Sequence, residues 1–590
     1  MAGPATATTP GNELRTAFRH CAGALTGVGI FSAVVNLLGL TGSLYMLQVY
    51  DRVLPSQSVP TLVGITIVMV FLYAVYGLLD FTRLRLLVRI GNTLDRKLHA
   101  KAFAASLLLP LRAGHEGTRV QPIRDLDQIR SFVSGTGPTA FFDLPWMPFY
   151  LLIIYMMHPW LGLLATAGAA LSVVLTLVAE TLGRASARRA TESVITRTAY
   201  AEAGRRNAEV IRAMGLSNRF GRLWSEQSLR FLRDQRCVSD VVGAAGTLSR
   251  TLRMMLQSLM LGLGAYLVMS GEASSGVIIA SSIMLARSLA PIDIAIANWR
   301  GFTSARQSYT QLSKTLTAFA DLEQPMALPR PKHTLSVEAL TVAAPGQQKP
   351  LIQNVTFKLE AGSGLGVIGP SASGKSTLVR ALVGAWTALR GTVRLDQAAL
   401  EQWDVEALGS DIGYLPQAIE LFEGTVAENI CRFDENADPK AILSAAKAAG
   451  VEHMILRLPD GFQTRVGDSG AALSAGQRQL VGLARALYGD PFLVVLDEPN
   501  SNLDADGDVS LATAIEGVRQ RGGIVIVVAH RPSALANLDQ VLVMGGGMVQ
   551  AFGPKEEVLA SVTRSAAHAQ PAAHAAARQT STVVSLSNRK

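Results

Sequence analysis

Residues 21–50 contain no charged side chain, nor do residues 59–79, and the uncharged stretch 144–179 is interrupted only by His158-Pro159. A water-soluble core cannot absorb runs of this length, whereas a helix crosses a bilayer with ~20 apolar residues. The stretch 144–179 is therefore read as two spans joined by a tight turn. Two further candidates follow, 254–270 and 273–299, the second carrying Arg287 and Asp293. The chain is expected to cross a membrane six times. With 49% hydrophobic and 17% charged residues, an intrinsically disordered chain is excluded. Cys21, Cys237 and Cys431 are too few and too scattered for a zinc or disulfide framework.

The charges between the spans set the orientation. Segments 50–58, 157–159 and 271–275 together hold one basic residue, Arg52, whereas 81–138 hold ten and 181–240 hold twelve. Basic loops stay on the cytoplasmic side, so both termini are expected there. Residues 1–330 carry 32 Lys and Arg against 19 Asp and Glu; residues 331–560 carry 18 against 26. The positive charge alternates with the spans, so it reads as membrane topology, with no nucleic-acid partner expected. The two basic segments read as helices over 81–111 and 191–240, long enough to project beyond the membrane. Their tips, 121–133 and 207–220, are expected to touch the second half of the chain. Residues 1–20 do not resemble a cleaved signal peptide, because the apolar run that follows is too long.

Two charged positions in the first half are singled out. Asp143 precedes Pro145 at the start of a span and reads as a helix cap. Arg287 lies well inside the sixth span, where a cation avoids lipid, and is a candidate for lining a cargo path. Snorkelling to the interface is the competing reading. Pro291 cannot donate to the carbonyl of Arg287, so a kink or widening of the helix is expected there.

The second half carries phosphate chemistry. An apolar strand, 365–368, leads into Gly369-Pro370-Ser371-Ala372-Ser373-Gly374-Lys375-Ser376-Thr377 and then a helical run. This is a P-loop in its required strand–loop–helix setting. Its glycines let backbone N–H groups curl around phosphate, Lys375 reaches the β- and γ-phosphates, and Ser376 binds Mg²⁺. A second buried strand, 492–496, ends in Asp497-Glu498. Asp497 suits Mg²⁺, and Glu498 is placed to polarise an attacking water. Leu473-Ser474-Ala475-Gly476-Gln477 has capping-box spacing and makes a second candidate anion site.

Together these motifs resemble the nucleotide-binding domain of ABC transporters over 335–560. Gly369–Thr377 resembles the Walker A motif, 492–497 Walker B, and 473–477 the signature, with alanine at its third position. Gln417 resembles the Q-loop glutamine, Asp504 in Ser501-Asn502-Leu503-Asp504 the D-loop, and His530 the switch histidine. The resemblance implies ATP and Mg²⁺ as cofactors. It assigns Glu498, His530 and Gln417 catalytic roles, and Ser376, Gln417 and Asp497 the metal. It also implies a homodimer in which each nucleotide meets the signature of the other copy. Relatives stack an aromatic on adenine near Ala344, but no aromatic occurs between Pro331 and Gln353.

The order of six spans before the ATPase resembles type I ABC exporters. Segments 43–54, 141–146, 124–126 and 289–293 resemble type I secretion permease/ATPases of the PrtD class. The expected architecture is a cytoplasmic segment (1–20), an α-helical six-span transmembrane domain (21–320), an α/β P-loop nucleotide-binding domain (331–560) and a disordered tail (561–590). The segment before the first span leaves no room for a peptidase or peptidase-like domain, which favours the minimal subgroup. The resemblance implies ATP-driven export of unfolded proteins bearing a C-terminal signal. It implies a multi-pass location among the lipids of the bacterial inner membrane, with a membrane-fusion protein and a TolC-like outer-membrane channel as partners. An exporter of lipids, drugs or small peptides, and a regulatory membrane ATPase, are the alternatives.

Overall fold

The computed structural model describes residues 13–117, 120–320, 328–529 and 532–561. The chain forms two compact units, Met1–Leu108 with Arg119–Leu322, and Leu109–Thr118 with Glu323–Lys590.

The first unit is helical: α1 (Glu13–His20), α2 (Ala22–Leu38), α3 (Thr41–Gln48), α4 (Val59–Gly117), α5 (Pro122–Val133), α6 (Gly137–Asp143), α7 (Met147–Met157), α8 (Pro159–Arg206), α9 (Ala208–Ala213), α10 (Ser217–Met269) and α11 (Ser275–Ala320). The last residues of α4 group with the second unit. Six helical stretches are long and apolar enough to cross a membrane, in the order the sequence gives. Prolines open α5, α6, α7 and α8 in their first turns, where the missing N–H has no partner to lose. The turn between α7 and α8 falls at His158, whose extended backbone (φ −163°, ψ 132°) breaks the helix. Its Nδ1 accepts from the N–H of Trp160, leaving Nε2 3.4 Å from the Glu272 carboxylate. Ile154, Leu161, Met260, Met284 and Leu285 form the fully buried centre of the bundle.

Two expectations change. The run 191–240 is not one helix. It turns at Asn207, continues through the short α9 and turns again at Gly215, whose φ of +64° ends the helix. Helix α11 continues through Pro291. Asp143 caps no helix. Its carboxylate is buried and accepts two bonds from Arg83, at 2.9 and 3.0 Å, and one from the Asn36 amide at 2.8 Å. Arg83 also bonds Asp80 and Ser32. A buried ion pair needs such further bonds to offset lost hydration.

At the start of α11 the carboxylate of Asp51, in a π-helical turn (Val49–Val53), accepts from the Gly276 N–H at 2.8 Å and the Ser274 hydroxyl at 2.6 Å. A Cβ at Gly276 would lie 2.7 Å from that carboxylate, so a side chain there would push the cap aside.

The second unit contains two sheets. Strands β1 (Thr334–Ala343), β2 (Pro350–Glu360), β4 (Arg390–Leu395) and β5 (Ala398–Ala399) form an antiparallel sheet in the order β2-β1-β4-β5. Strands β3 (Gly364–Ile368), β6 (Ile412–Leu415), β7 (Leu493–Asp497), β8 (Ile524–Val528), β9 (Gln540–Gly545) and β10 (Met548–Pro554) form the other, in the order β10-β9-β3-β8-β7-β6. All neighbours in it are parallel except the β9–β10 edge. Strands β7 and β8 are buried along their whole length, which matches their unbroken apolar sequence. In a parallel sheet the ligand crevice lies beyond the carboxyl ends of the strands. The loops after β3, β6 and β7 carry the P-loop, Gln417 and Glu498.

Candidate nucleotide site

The loop after β3 enters α12 (Lys375–Leu382) through Gly374, at φ +99°. A Cβ at Gly374 would stand 2.4 Å from Ile352, so the loop can pass there only without one. No side chain caps α12, which leaves its first N–H groups facing the loop. Lys375 is buried, and its ammonium donates to the carbonyls of Gly369 and Pro370, each at 2.9 Å. Burial holds the lysine below its usual pKa, and the nearby Glu498 and Asp497 carboxylates act against that shift.

Asp497 ends β7 and is 2% exposed. Burial pushes its carboxyl up from the ordinary range, while a bond with the Ser376 hydroxyl pulls the other way. Its Oδ1 is buried and has no hydrogen-bond partner. A buried, unpaired carboxylate oxygen beside a P-loop serine is a donor set for Mg²⁺, a hard cation that takes oxygen ligands. Glu498 follows at φ +51°, and its carboxylate accepts from the Gln417 amide at 3.1 Å. The structure thus joins Lys375, Ser376, Asp497, Glu498 and Gln417 in one place.

The signature segment forms a separate group. Ser474 and Gln477 make a complete capping box at the start of α13 (Ala475–Leu487), with bonds of 3.2 and 2.9 Å. Gly476 packs against Asn502, where an added Cβ would be 3.0 Å from the carbonyl. Asp504 accepts from the Gly507 N–H at 2.9 Å and caps α14 (Ala505–Gln520). Among the described residues no hydrogen bond ties this group to the P-loop. Gln417, Asp468, Ala475, Arg478 and Asn502 share one open cleft. His530 lies outside the described residues.

Gln479 is a positioning residue that motif reading passes over. It is 1% exposed, donates to the Pro499 carbonyl and accepts from the Asn502 N–H. It therefore fixes the loop after Glu498 to the signature helix. A polar side chain on the buried face of an amphipathic helix was the available cue.

Comparison with known proteins agrees with this geometry. Residues 352–501 match the ABC transporter family model, and residues 25–289 match that of the ABC transporter transmembrane region. The chain is 53% identical over 548 residues to the type I secretion system ATP-binding protein PrsD of Rhizobium meliloti (strain 1021), covering 93% of this chain and 94% of that protein. It is 27% identical over 540 residues to the leukotoxin translocation ATP-binding protein LktB of Mannheimia haemolytica, covering 90% of this chain and 75% of that one. A bacterial Atm1-family ABC exporter solved with ATP bound shares the fold, with a TM-score of 0.77 at 20% identity over 96% of this chain and 99% of the other. The chain is a multi-pass membrane protein with an ATP-binding domain, and it belongs to the type I secretion system ATP-binding proteins of the ABC transporter family.

Proposed function

We propose that this chain is the inner-membrane, ATP-hydrolysing component of a type I secretion system, exporting unfolded proteins that carry a C-terminal signal. The observation that carries the reading is the 53% identity with a type I secretion ATP-binding protein, which spans both units and not the ATPase alone. The reading includes a homodimer, a membrane-fusion protein, a TolC-like channel and cytoplasmic termini.

In this reading Gly369–Thr377 wraps the phosphates, with Lys375 exchanging its loop carbonyls for phosphate oxygens. Ser376, Asp497 and Gln417 hold Mg²⁺, which when bound neutralises charge on the phosphates. Glu498 orients and deprotonates the attacking water, Gln417 positions Glu498, and His530 contacts the γ-phosphate. The signature of the second copy, Leu473–Gln477, closes each site, with Asp504 at the dimer seam. The tips at 121–133 and 207–220 carry that closure to the spans.

The test is secretion of a glycine/aspartate-repeat protein from cells holding this chain, a fusion protein and an outer-membrane channel, with Glu498→Gln as the control. Export by the unaltered chain and not by the variant is the expected result. Absence of export from either, with ATPase activity intact in the purified protein, would overturn the reading.

A further inference from the structure

Three aspartates in or at the edge of the spans are bonded to arginines: Asp80 and Asp143 to Arg83, and Asp293 to Arg253. Arg287 has no such pairing. Among the described residues no carboxylate lies within ion-pair distance of it; its contacts are the Tyr76 hydroxyl at 3.5 Å and the Tyr76 ring at 5.7 Å. The Asp51 cap fixes where α11 begins, and Arg287 stands twelve residues beyond Ser275, about 18 Å along the helix. That depth is near the middle of a ~30 Å hydrocarbon layer, too far for the side chain to reach either interface easily. Half of the most apolar stretch of α11 is buried, the largest share among the six spans, so the helix is not simply lipid-facing. Arg287 lies on its less buried stripe, between Ala286 and Ala290, whose short side chains leave room beside the guanidinium. A membrane-depth cation with an aromatic ring behind it and no anion of its own is set to receive one.

We propose that Arg287, backed by Tyr76, reads the charge of the cargo by pairing transiently with carboxylates of acidic stretches in the exported polypeptide. This rests on the protein-export reading and adds the chemistry that the path selects. A passing contact must be weak enough to release, so the selectivity is modest, about fivefold, the size of one partly solvated ion pair.

The test uses the full chain in phosphatidylcholine vesicles, with and without phosphatidylglycerol. Two probes carry the same C-terminal secretion segment: a glycine/aspartate-repeat polypeptide and its twin with asparagine at every aspartate. ATP-dependent uptake is measured for the unaltered chain, Arg287→Gln and Arg287→Lys. The expected result is a preference of about fivefold for the aspartate probe, kept by Arg287→Lys, abolished by Arg287→Gln and reduced by salt. Equal preference in the unaltered chain and Arg287→Gln overturns the inference and leaves protein export standing. Uptake of neither probe by the unaltered chain, with a membrane-fusion protein and an outer-membrane channel supplied as well, overturns both. An Arg287→Gln effect that appears only with phosphatidylglycerol, and equally for both probes, assigns the cation to lipid phosphate and also overturns the inference. Arg287→Lys, which keeps the charge, separates loss of charge reading from loss of fold.

Discussion

The amide of Gln417 donates to the carboxylate of Glu498 at 3.1 Å, across 81 residues of sequence. The bond joins the loop after β6 to the end of β7 and fixes the carboxylate without neutralising it. Glu498→Gln is expected to lower ATP turnover at least about 100-fold, with nucleotide binding retained. Gln417→Ala is expected to cost about tenfold, because the proposed base remains while its placement is loosened and one proposed Mg²⁺ contact is lost. Steady-state ATPase assays paired with nucleotide-binding titrations separate the two effects.

Arg83 and Asp143 make the second prediction. Asp143→Ala leaves a buried guanidinium with its main partner gone and is expected to cost about 3–5 kcal/mol. Replacing both residues by leucine is expected to cost less than either single change, because no fully buried unpaired charge remains and Asp80, which loses Arg83, is part-exposed. Thermal unfolding of the purified chain in one detergent compares the three variants.

Asp396 gives a pH dependence. Burial alone would raise its carboxyl, but N–H groups of Lys332, Thr334 and His333 bond the carboxylate at 2.6–2.8 Å and hold it below the ordinary value. A depressed carboxyl stabilises the fold above its unfolded pKa and loses that contribution as pH falls through the folded value. Asp396→Ala is therefore expected to cost about 1–2 kcal/mol at pH 7, with solvent keeping it modest. The gap from the unaltered chain closes as the pH drops below 3.8. Denaturation curves at several pH values test both the size and the sign.

Gly276→Ala forces a methyl group against the Asp51 carboxylate. The expected cost is about 1–3 kcal/mol, of the kind seen on overpacking. Asp51→Ala removes the obstacle as well as the cap, so adding Gly276→Ala to it is expected to cost little more. A double-mutant cycle on melting temperature measures that coupling.

The P-loop and the spans were legible because local sequence dictates them. Gly374 must reach a φ that glycine adopts readily, and an uncharged run in a helix has few places to go besides a bilayer. Asp143 was misread for the opposite reason: Asp before Leu-Pro is a local cap signal, and nothing near it announces an arginine sixty residues away. Gly215 and Asn207 carried the cue for the broken tip helix, at the two places where the chain turns. Gln479 was hidden similarly, since its two partners come from a loop about twenty residues downstream.

Lys375 already has company in its own loop. Two carbonyls hold its ammonium, so a phosphate reaching it must outcompete them, and each encounter is an exchange of ligands. Nucleotide affinity at this site is therefore a difference between two sets of contacts. Changes in the loop backbone at Gly369 or Pro370 therefore act on both sets at once, since the carbonyls that hold the lysine belong to the loop proposed to wrap the phosphates.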